Sequence, residues 1–339
     1  MPSYNSNINI DGTGAIRKNK PPQIPVPAGL RQMRVLSIRR AGSSLEPKNP
    51  PWQFKHTRTA VLEYNVPMKT QSEKSEFFRT LHRGPEILVL PNAWDCASAR
   101  IFEQTGFPAI ATTSAGIAFS LGYSDGERIP QDLMLATVGQ ISDSVQLPVT
   151  ADLEAGYGDV AKTAAGLVAA GAVGLNLEDM DQESQSLAPI PAQIEKIAMV
   201  RRIANGLGVN VVINARTDVY LAEIGEPATR FDRVCERLQA YIGAGADCVF
   251  LPGVADENII RRVVETLKFP LNILAGANLP TIPRLRELGV ARVSVGSGIM
   301  RATLGLTRRI AQELKQSGTY TALLEGTMSF AEANALFEE

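Results

Sequence analysis

From about residue 85 onward, short β-rich apolar runs alternate with longer stretches in which apolar residues recur three and four positions apart. The short runs suit strands and the longer stretches suit helices, so the rhythm is strand, crossover helix, parallel strand. Eight runs carry it: ILVLPNA (87–93), AIATTSAG (109–116), VTADLEAG (149–156), GLNLED (174–179), VVINARTD (211–218), CVFLPG (248–253), LNILAG (271–276) and RVSVGSG (292–298). Segments between them, such as AKTAAGLVAAGA and FDRVCERLQAYIGAGA, carry a glycine near the end, where a helix C-terminus favours one. Eight strands in about 215 residues predict an α/β fold of the (β/α)8 TIM-barrel type. A doubly wound open sheet is the alternative; the even strand count and the lack of a GxGxxG after the first run disfavour it. MKTQSEKSEFFRTLHRG (68–84) predicts a helix ahead of the barrel, and TALLEGTMSFAEANALFEE (321–339) a helical tail.

Upstream of Met68 the pattern is lost. Nine of the 21 prolines fall there, and no helical or strand period lasts more than a turn or two. Residues 1–67 therefore read as a disordered basic extension and 68–339 as the barrel domain with its C-terminal helices. The extension holds ten Lys/Arg against three acids, so the rest of the chain is net acidic, which disfavours nucleic acid as a partner. Two readings of the extension compete: a dispensable tail or misassigned start upstream of Met68, and a mitochondrial targeting segment around GLRQMRVLSIRR. No run is long and apolar enough to span a bilayer, and no secretory apolar core is present, so no membrane is expected as a partner. Three cysteines without a CxxC point to a reducing compartment. The expected location is cytoplasmic, or mitochondrial if the extension belongs to the native protein.

In a (β/α)8 barrel the chemistry sits at the carboxyl ends of the strands. The third run ends Asp152-Leu153-Glu154, and residues two apart on a strand share a face. The fourth ends Glu178-Asp179, so a further carboxylate reaches the same mouth. Asp152, Glu154 and Glu178 give an oxygen-rich, imidazole-free set of the kind Mg²⁺ or Mn²⁺ prefers, against the plainer reading of salt-bridged or solvated acids. Arg216, in the fifth run, offers a planar fork for a carboxylate or phosphate, or a partner for those acids. Ser114, Ala115, Gly116 and Ile117 form a small-residue stretch whose backbone N–H groups suit an anionic oxygen. Asp125 in LGYSDG is either a functional acid on the same rim or a cap for the helix that follows. Neither histidine, His56 or His82, lies on a strand run, and no lysine ends one, which argues against histidine ligation and Schiff-base chemistry. Cys96, Cys235 and Cys248 read as core or spacer positions.

With these residues in place, the chain resembles the isocitrate lyase and phosphoenolpyruvate mutase superfamily over roughly residues 70–339. The resemblance is carried by LPNAWD (90–95), TTSAGIAFSLGYSDGE (112–127), VTADLEAGYGD (149–159), GLNLED (174–179), INARTD (213–218) and the pair LAG and RVSVGSG. It implies that Asp152, Glu154 and Glu178 hold Mg²⁺, partly through water. It implies also that the amides of Ala115, Gly116 and Ile117, with Arg216, hold a substrate carboxylate, and that Asp125 lies near the reacting centre. Two departures narrow the chemistry. The lyase branch carries K-[KR]-C-G-H in the lid after the fourth strand, where this chain has Met180-Asp181-Gln182-Glu183-Ser184-Gln185-Ser186-Leu187 and no cysteine. Of the mutase motif E-D-K-x-x-P-K-x-N-S, Glu178-Asp179 remain. An aromatic residue found at the second strand's end in other branches is Thr112 here.

The expectation is a Mg²⁺-dependent carbon–carbon lyase, decarboxylase or hydrolase of a small 2-oxo or 2-hydroxy dicarboxylate, working through an enolate. Alternatives are a phosphonopyruvate-type mutase or hydrolase, and a non-catalytic barrel that binds carboxylates. The partners expected are a small carboxylate substrate and further copies of the chain, the resemblance implying a tetramer with exchanged C-terminal helices.

Overall fold

The structure is a computed structural model that describes residues 70–338. The basic, proline-rich extension over residues 1–67 lies outside the described residues.

A capping box on Thr70 and Glu73 opens helix α1 (Gln71–Leu81), which precedes the barrel. The barrel strands follow: β1 (Leu88–Leu90) and β2 (Asn92–Ala93), then β3 (Ile110–Thr112), β4 (Val149–Asp152) and β5 (Gly174–Glu178). A small antiparallel hairpin, β6 (Met180–Asp181) and β7 (Ser186–Leu187), precedes β8 (Val212–Arg216), β9 (Cys248–Leu251), β10 (Leu271–Leu274) and β11 (Arg292–Ser294). The main sheet is parallel throughout, in the order β1-β11-β10-β9-β8-β5-β4-β3-β2.

β1 and β2 are two halves of one strand divided at Pro91, which has no N–H to give to a ladder. The first half pairs with β11 through Leu88 and Arg292, the second with β3 through Asn92 and Ala111. That division closes the ring, so the fold is the expected (β/α)8 barrel rather than an open sheet. Asn92 stitches the closure: its amide donates to Thr112 O at 2.7 Å and its oxygen accepts from Val295 N and Gly296 N, each at 2.9 Å.

Outside the sheet lie α2 (Cys96–Gln104), α3 (Ser114–Ser120), α4 (Gln131–Asp143), α5 (Val160–Ala169), α6 (Ile190–Gly206), α7 (Pro227–Gly243), α8 (Glu257–Leu267) and α9 (Ile282–Glu287). Odd-numbered strand residues such as Ala151, Leu175, Ile213, Val249 and Ile273 belong to the main apolar cluster packed with these helices. The alternate residues belong to the barrel interior, as the strand period of two requires. At the amino-terminal end Phe78 of α1 plugs that interior against Leu88, Leu90, Ala111 and Val212. Gly174 makes room for the plug, since a Cβ there would stand 2.9 Å from Val212 O and 3.0 Å from Phe78 Cε1. Arg292 is buried at the same floor, over the Phe78 ring, and above it the interior turns polar with Asn176 and Asn214, both buried.

The chain ends in α10 (Gly298–Gln316), α11 (Thr321–Leu324) and α12 (Phe330–Ala335). The expected helical tail is two short helices, separated around Gly326, which takes a left-handed φ of 69°, before Ser329 caps the second. Among the described residues, no helix is long and apolar enough to cross a membrane.

Candidate active site

The carboxyl ends of the strands enclose a cavity of about 170 Å³. Drug-sized ligands occupy pockets of about 300–1,000 Å³, so this one suits a small molecule. One wall is charged and polar: Asp125, Asp152, Arg216, Ser114 and Ala115. Leu221, Phe250 and Leu274 supply the apolar part of the lining, with Arg216 stacked over the Phe250 ring, and polar residues including Asn92, Asn176 and Ser294 line it as well.

Asp152 ends β4 and is held from three sides. Ser114 gives it both a backbone N–H (3.2 Å) and its hydroxyl (2.8 Å) on Oδ2, and Asn176 donates to Oδ1 at 3.3 Å. Asn176 in turn accepts from Asn214 at 2.8 Å and from Arg292 at 3.3 Å, so a buried polar ladder runs from the barrel floor to this carboxylate.

Glu154 lies beyond the end of β4 with a left-handed φ of 50°, so the two-residue strand period no longer sets its direction. Its carboxylate accepts from Glu127 N at 2.6 Å and from the Tyr157 hydroxyl at 2.9 Å, while Tyr157 N donates to Glu127 at 2.6 Å. Glu127 and Tyr157 are left-handed as well, at 57° and 55°. Non-glycine residues in that region cost on the order of 1–3 kcal/mol each, and here the three stabilise one another by hydrogen bonds.

Glu178 ends β5, where Arg216 Nη1 stands 2.8 Å from it and Gln182 of the hairpin donates to it at 3.0 Å. Arg216 gives Nε and Nη2 to Asp218 at 2.6 and 2.9 Å. The guanidinium is therefore both a partner of the strand-end acids and part of the cavity wall, with N–H groups to spare for an anion.

Of the expected anion cradle, Ser114 and Ala115 line the cavity. The Gly116 amide is taken by the Thr113 hydroxyl at 3.2 Å, and Ile117 N donates to Thr113 O within the helix. Gly116 is tightly enclosed: a Cβ would come within 3.0 Å of Trp94 Cβ. Asp125 faces the cavity and does not cap the following helix, whose N-cap is Pro130.

The electrostatics are those of crowded acids. Burial first, then Asp152, raises the Asp125 carboxyl above its usual range. Burial, Asp125 and Asp152 push Glu154 up to about 8. Burial, with Asp218, Asp152 and Glu154, raises Glu178 well above normal against the pull of Arg216.

Such a surplus of negative charge on hard oxygen donors fits a divalent cation. Among the described residues no three Asp, Glu, His or Cys side chains converge into a ready-made metal cage. Asp152 and Asp125 face the cavity, and Glu154 and Glu178 are set back from it. That arrangement suits Mg²⁺, which typically takes one or two carboxylates and keeps several waters.

A family model described as phosphoenolpyruvate phosphomutase matches residues 78–315. The chain belongs to that family. The similar proteins include the 2-methylisocitrate lyase of Bacillus subtilis, 29% identical over 212 residues, covering 60% of this chain and 67% of the relative. An uncharacterized Mycobacterium tuberculosis protein is 36% identical over 221 residues, covering 65% of this chain and 81% of the relative. The crystal structure of a putative lyase/mutase from Burkholderia cenocepacia superposes with a TM-score of 0.74 at 36% identity, covering 79% of this chain and 97% of that one. The structure of 2,3-dimethylmalate lyase gives 0.69 at 26% identity, covering 80% and 95%.

Several residues here escaped the sequence reading. Asn92 is cavity wall and barrel stitch at once, inside a segment that carried the resemblance but was given no role of its own. Arg237 and Tyr241 of α7 enclose Asp179, with Arg237 Nε and the Tyr241 hydroxyl each 2.7 Å from Asp179 Oδ2. A signal existed for them: Arg237 sits among Val234, Leu238 and Tyr241 on the buried face of its helix, and an arginine there calls for a buried partner.

Proposed function

We propose that this protein is a Mg²⁺-dependent lyase, decarboxylase or hydrolase, foremost a carbon–carbon lyase, acting on a small 2-oxo or 2-hydroxy dicarboxylate. The observation that carries the reading is the cavity's charged wall, where Asp152 and Asp125 stand beside the cationic fork of Arg216. Breaking a carbon–carbon bond next to an oxidised carbon leaves an electron pair that must be delocalised as an enolate. Asp152, with Glu154 and Glu178 set behind it, would hold Mg²⁺, which when bound would supply the Lewis acidity that this charge development needs.

The chain's own residues do the rest. Arg216, fixed by Asp218, presents its free N–H groups to a substrate carboxylate, and the Ala115 amide lies on the same wall. Leu221, Phe250 and Leu274 receive the carbon skeleton and keep water from it. Ser114 and Asn176 hold Asp152 in one orientation. The β6–β7 hairpin stands beside the acids, its Gln182 bonded to Glu178 and packed against Gly126. Asp125, the cavity-wall acid beside Asp152, is the group we assign to taking or giving a proton.

A second reading is phosphonopyruvate-type mutase or hydrolase chemistry, favoured by the family model itself. One experiment separates the two. Protein from Met68 onward is incubated with Mg²⁺ and a panel of substituted malates, oxaloacetate, methylisocitrate and phosphonopyruvate, and followed by ¹H and ³¹P NMR beside an EDTA-treated sample. Magnesium-dependent loss of a carbon acid supports the lyase reading. A changed ³¹P signal transfers it to the second, and silence on the whole panel counts against both.

The chain is also proposed to form a homo-oligomer through its C-terminal helices. Leu324, Phe330 and Phe337 are 71%, 85% and 55% exposed, apolar surface that a second copy would cover. Light scattering that gives a monomer would remove this part.

A further inference from the structure

We infer that Asp179, Arg237 and Tyr241 form a positioning clamp, which sets the anchoring guanidinium of Arg216 and the C-terminal hinge of the lid hairpin together. For Arg216 this rests on the substrate-binding role proposed above; for the hairpin it stands on geometry alone.

Asp179 follows directly after β5 and is fully buried. Its Oδ1 accepts from Asp218 N at 3.0 Å, and Asp218 is the residue that grips Arg216. Its Oδ2 accepts from Arg237 Nε and the Tyr241 hydroxyl, which lie one helical turn apart on the same face of α7. The Asp179 carbonyl accepts from Ala188 N at 2.7 Å, at the point where the hairpin returns to the barrel, and Arg237 Nη2 donates to Ala188 O.

One guanidinium thus reaches the lid's hinge directly and the substrate anchor through two carboxylates. Neither Asp179, Arg237 nor Tyr241 lines the cavity, so their influence on a ligand passes through Arg216 and the hairpin. A buried ion pair that served only to dock α7 would need no contact with either. This one ends on Arg216 in the cavity wall, by way of Asp218, and on Ala188 at the base of the hairpin whose Gln182 holds Glu178. Nearby, Gln193 of α6 donates to Glu178 O at 3.1 Å, backing the strand end from which the clamp projects.

The test uses Arg237→Lys, which keeps the charge beside Asp179 but cannot fork to Ala188 as well, and Tyr241→Phe, which keeps the ion pair and removes one hydrogen bond. Oxalate binding at saturating Mg²⁺ is measured by calorimetry, and hydrogen exchange is followed over residues 180–188 and over β9 and β10. Arg237→Lys is expected to bind oxalate ~10-fold more weakly and to exchange faster across the hairpin, with β9 and β10 unchanged. Tyr241→Phe should move both readouts the same way, by less. A purely structural pair would lower the melting temperature of Arg237→Lys and leave oxalate affinity and hairpin exchange at wild-type values; that result overturns the clamp. If wild-type protein takes no oxalate with Mg²⁺, the proposed function fails at its anchor. The hinge half of the clamp then stands or falls on the exchange data.

Discussion

His82 sits at the C-terminal end of α1, 4% exposed, with Nδ1 2.9 Å from Phe78 O and Nε2 3.4 Å from Arg292. Burial first, then Arg292, with Arg79 and Arg83 adding to it, depresses its pKa from 6.5 to about 3; only the Phe78 carbonyl pulls the other way. The folded protein therefore keeps this ring neutral while the unfolded chain protonates it below pH 6.5. Between about pH 6.5 and 3 the unfolded state binds the extra proton, so this stability is present above the unfolded pKa and lost as pH falls. At pH 5 the loss amounts to about 2 kcal/mol, on the order of 5 °C in melting temperature for a barrel of this size. His82→Gln removes the titrating group and retains a donor for Phe78 O. The assay is the stability gap between wild type and His82→Gln, by urea unfolding at pH 7.5 and pH 5, so that all other titrations cancel. The gap should narrow by about 2 kcal/mol at the lower pH. A gap that stays constant would show that the ring is protonated in the folded state or open to water, and would refute the sealed barrel floor.

Three further outcomes follow from the geometry. Gly174→Ala places a methyl group against Val212 O, Thr150 Oγ1 and Phe78, and should cost about 1–3 kcal/mol, read as a lower melting temperature with an unchanged circular dichroism spectrum. Arg216→Lys gives up the two-point grip on Asp218 and should weaken oxalate binding by roughly 10–100-fold in calorimetry while the fold persists. Because Glu154 is held near pH 8 by burial and its acidic neighbours, a cation must displace its proton. Mn²⁺ affinity by electron paramagnetic resonance should therefore rise between pH 6 and 8, and Glu154→Gln should flatten the rise.

Much of the fold was legible because each barrel strand is a compact run with its chemistry at the carboxyl end. All eight runs became strands, the first one divided at Pro91. Asp152 and Arg216 could be placed because strand ends in this architecture face a common mouth. Glu154 could not be placed by the same logic, since the strand stops at Asp152 and the backbone turns left-handed to meet Glu127 and Tyr157. Nor could the helical cradle be divided residue by residue: whether Gly116 N serves a ligand or the Thr113 hydroxyl depends on a side-chain rotamer that no spacing encodes. Asp179 shows a third limit. The sequence sets it beside Glu178 as if equivalent, but it points away from the cavity towards α7, and only tertiary packing brings Arg237 and Tyr241 to it.

The central claim is that the cavity beside Asp152 holds a divalent metal next to a carboxylate gripped by Arg216. A crystal of the protein grown with Mn²⁺ and oxalate, with diffraction recorded for the anomalous signal of manganese, tests it most directly. The account predicts one peak at direct coordination distance from the Asp152 carboxylate, with oxalate between it and Arg216. A cavity without that peak, or a metal bound elsewhere while oxalate avoids Arg216, would contradict it.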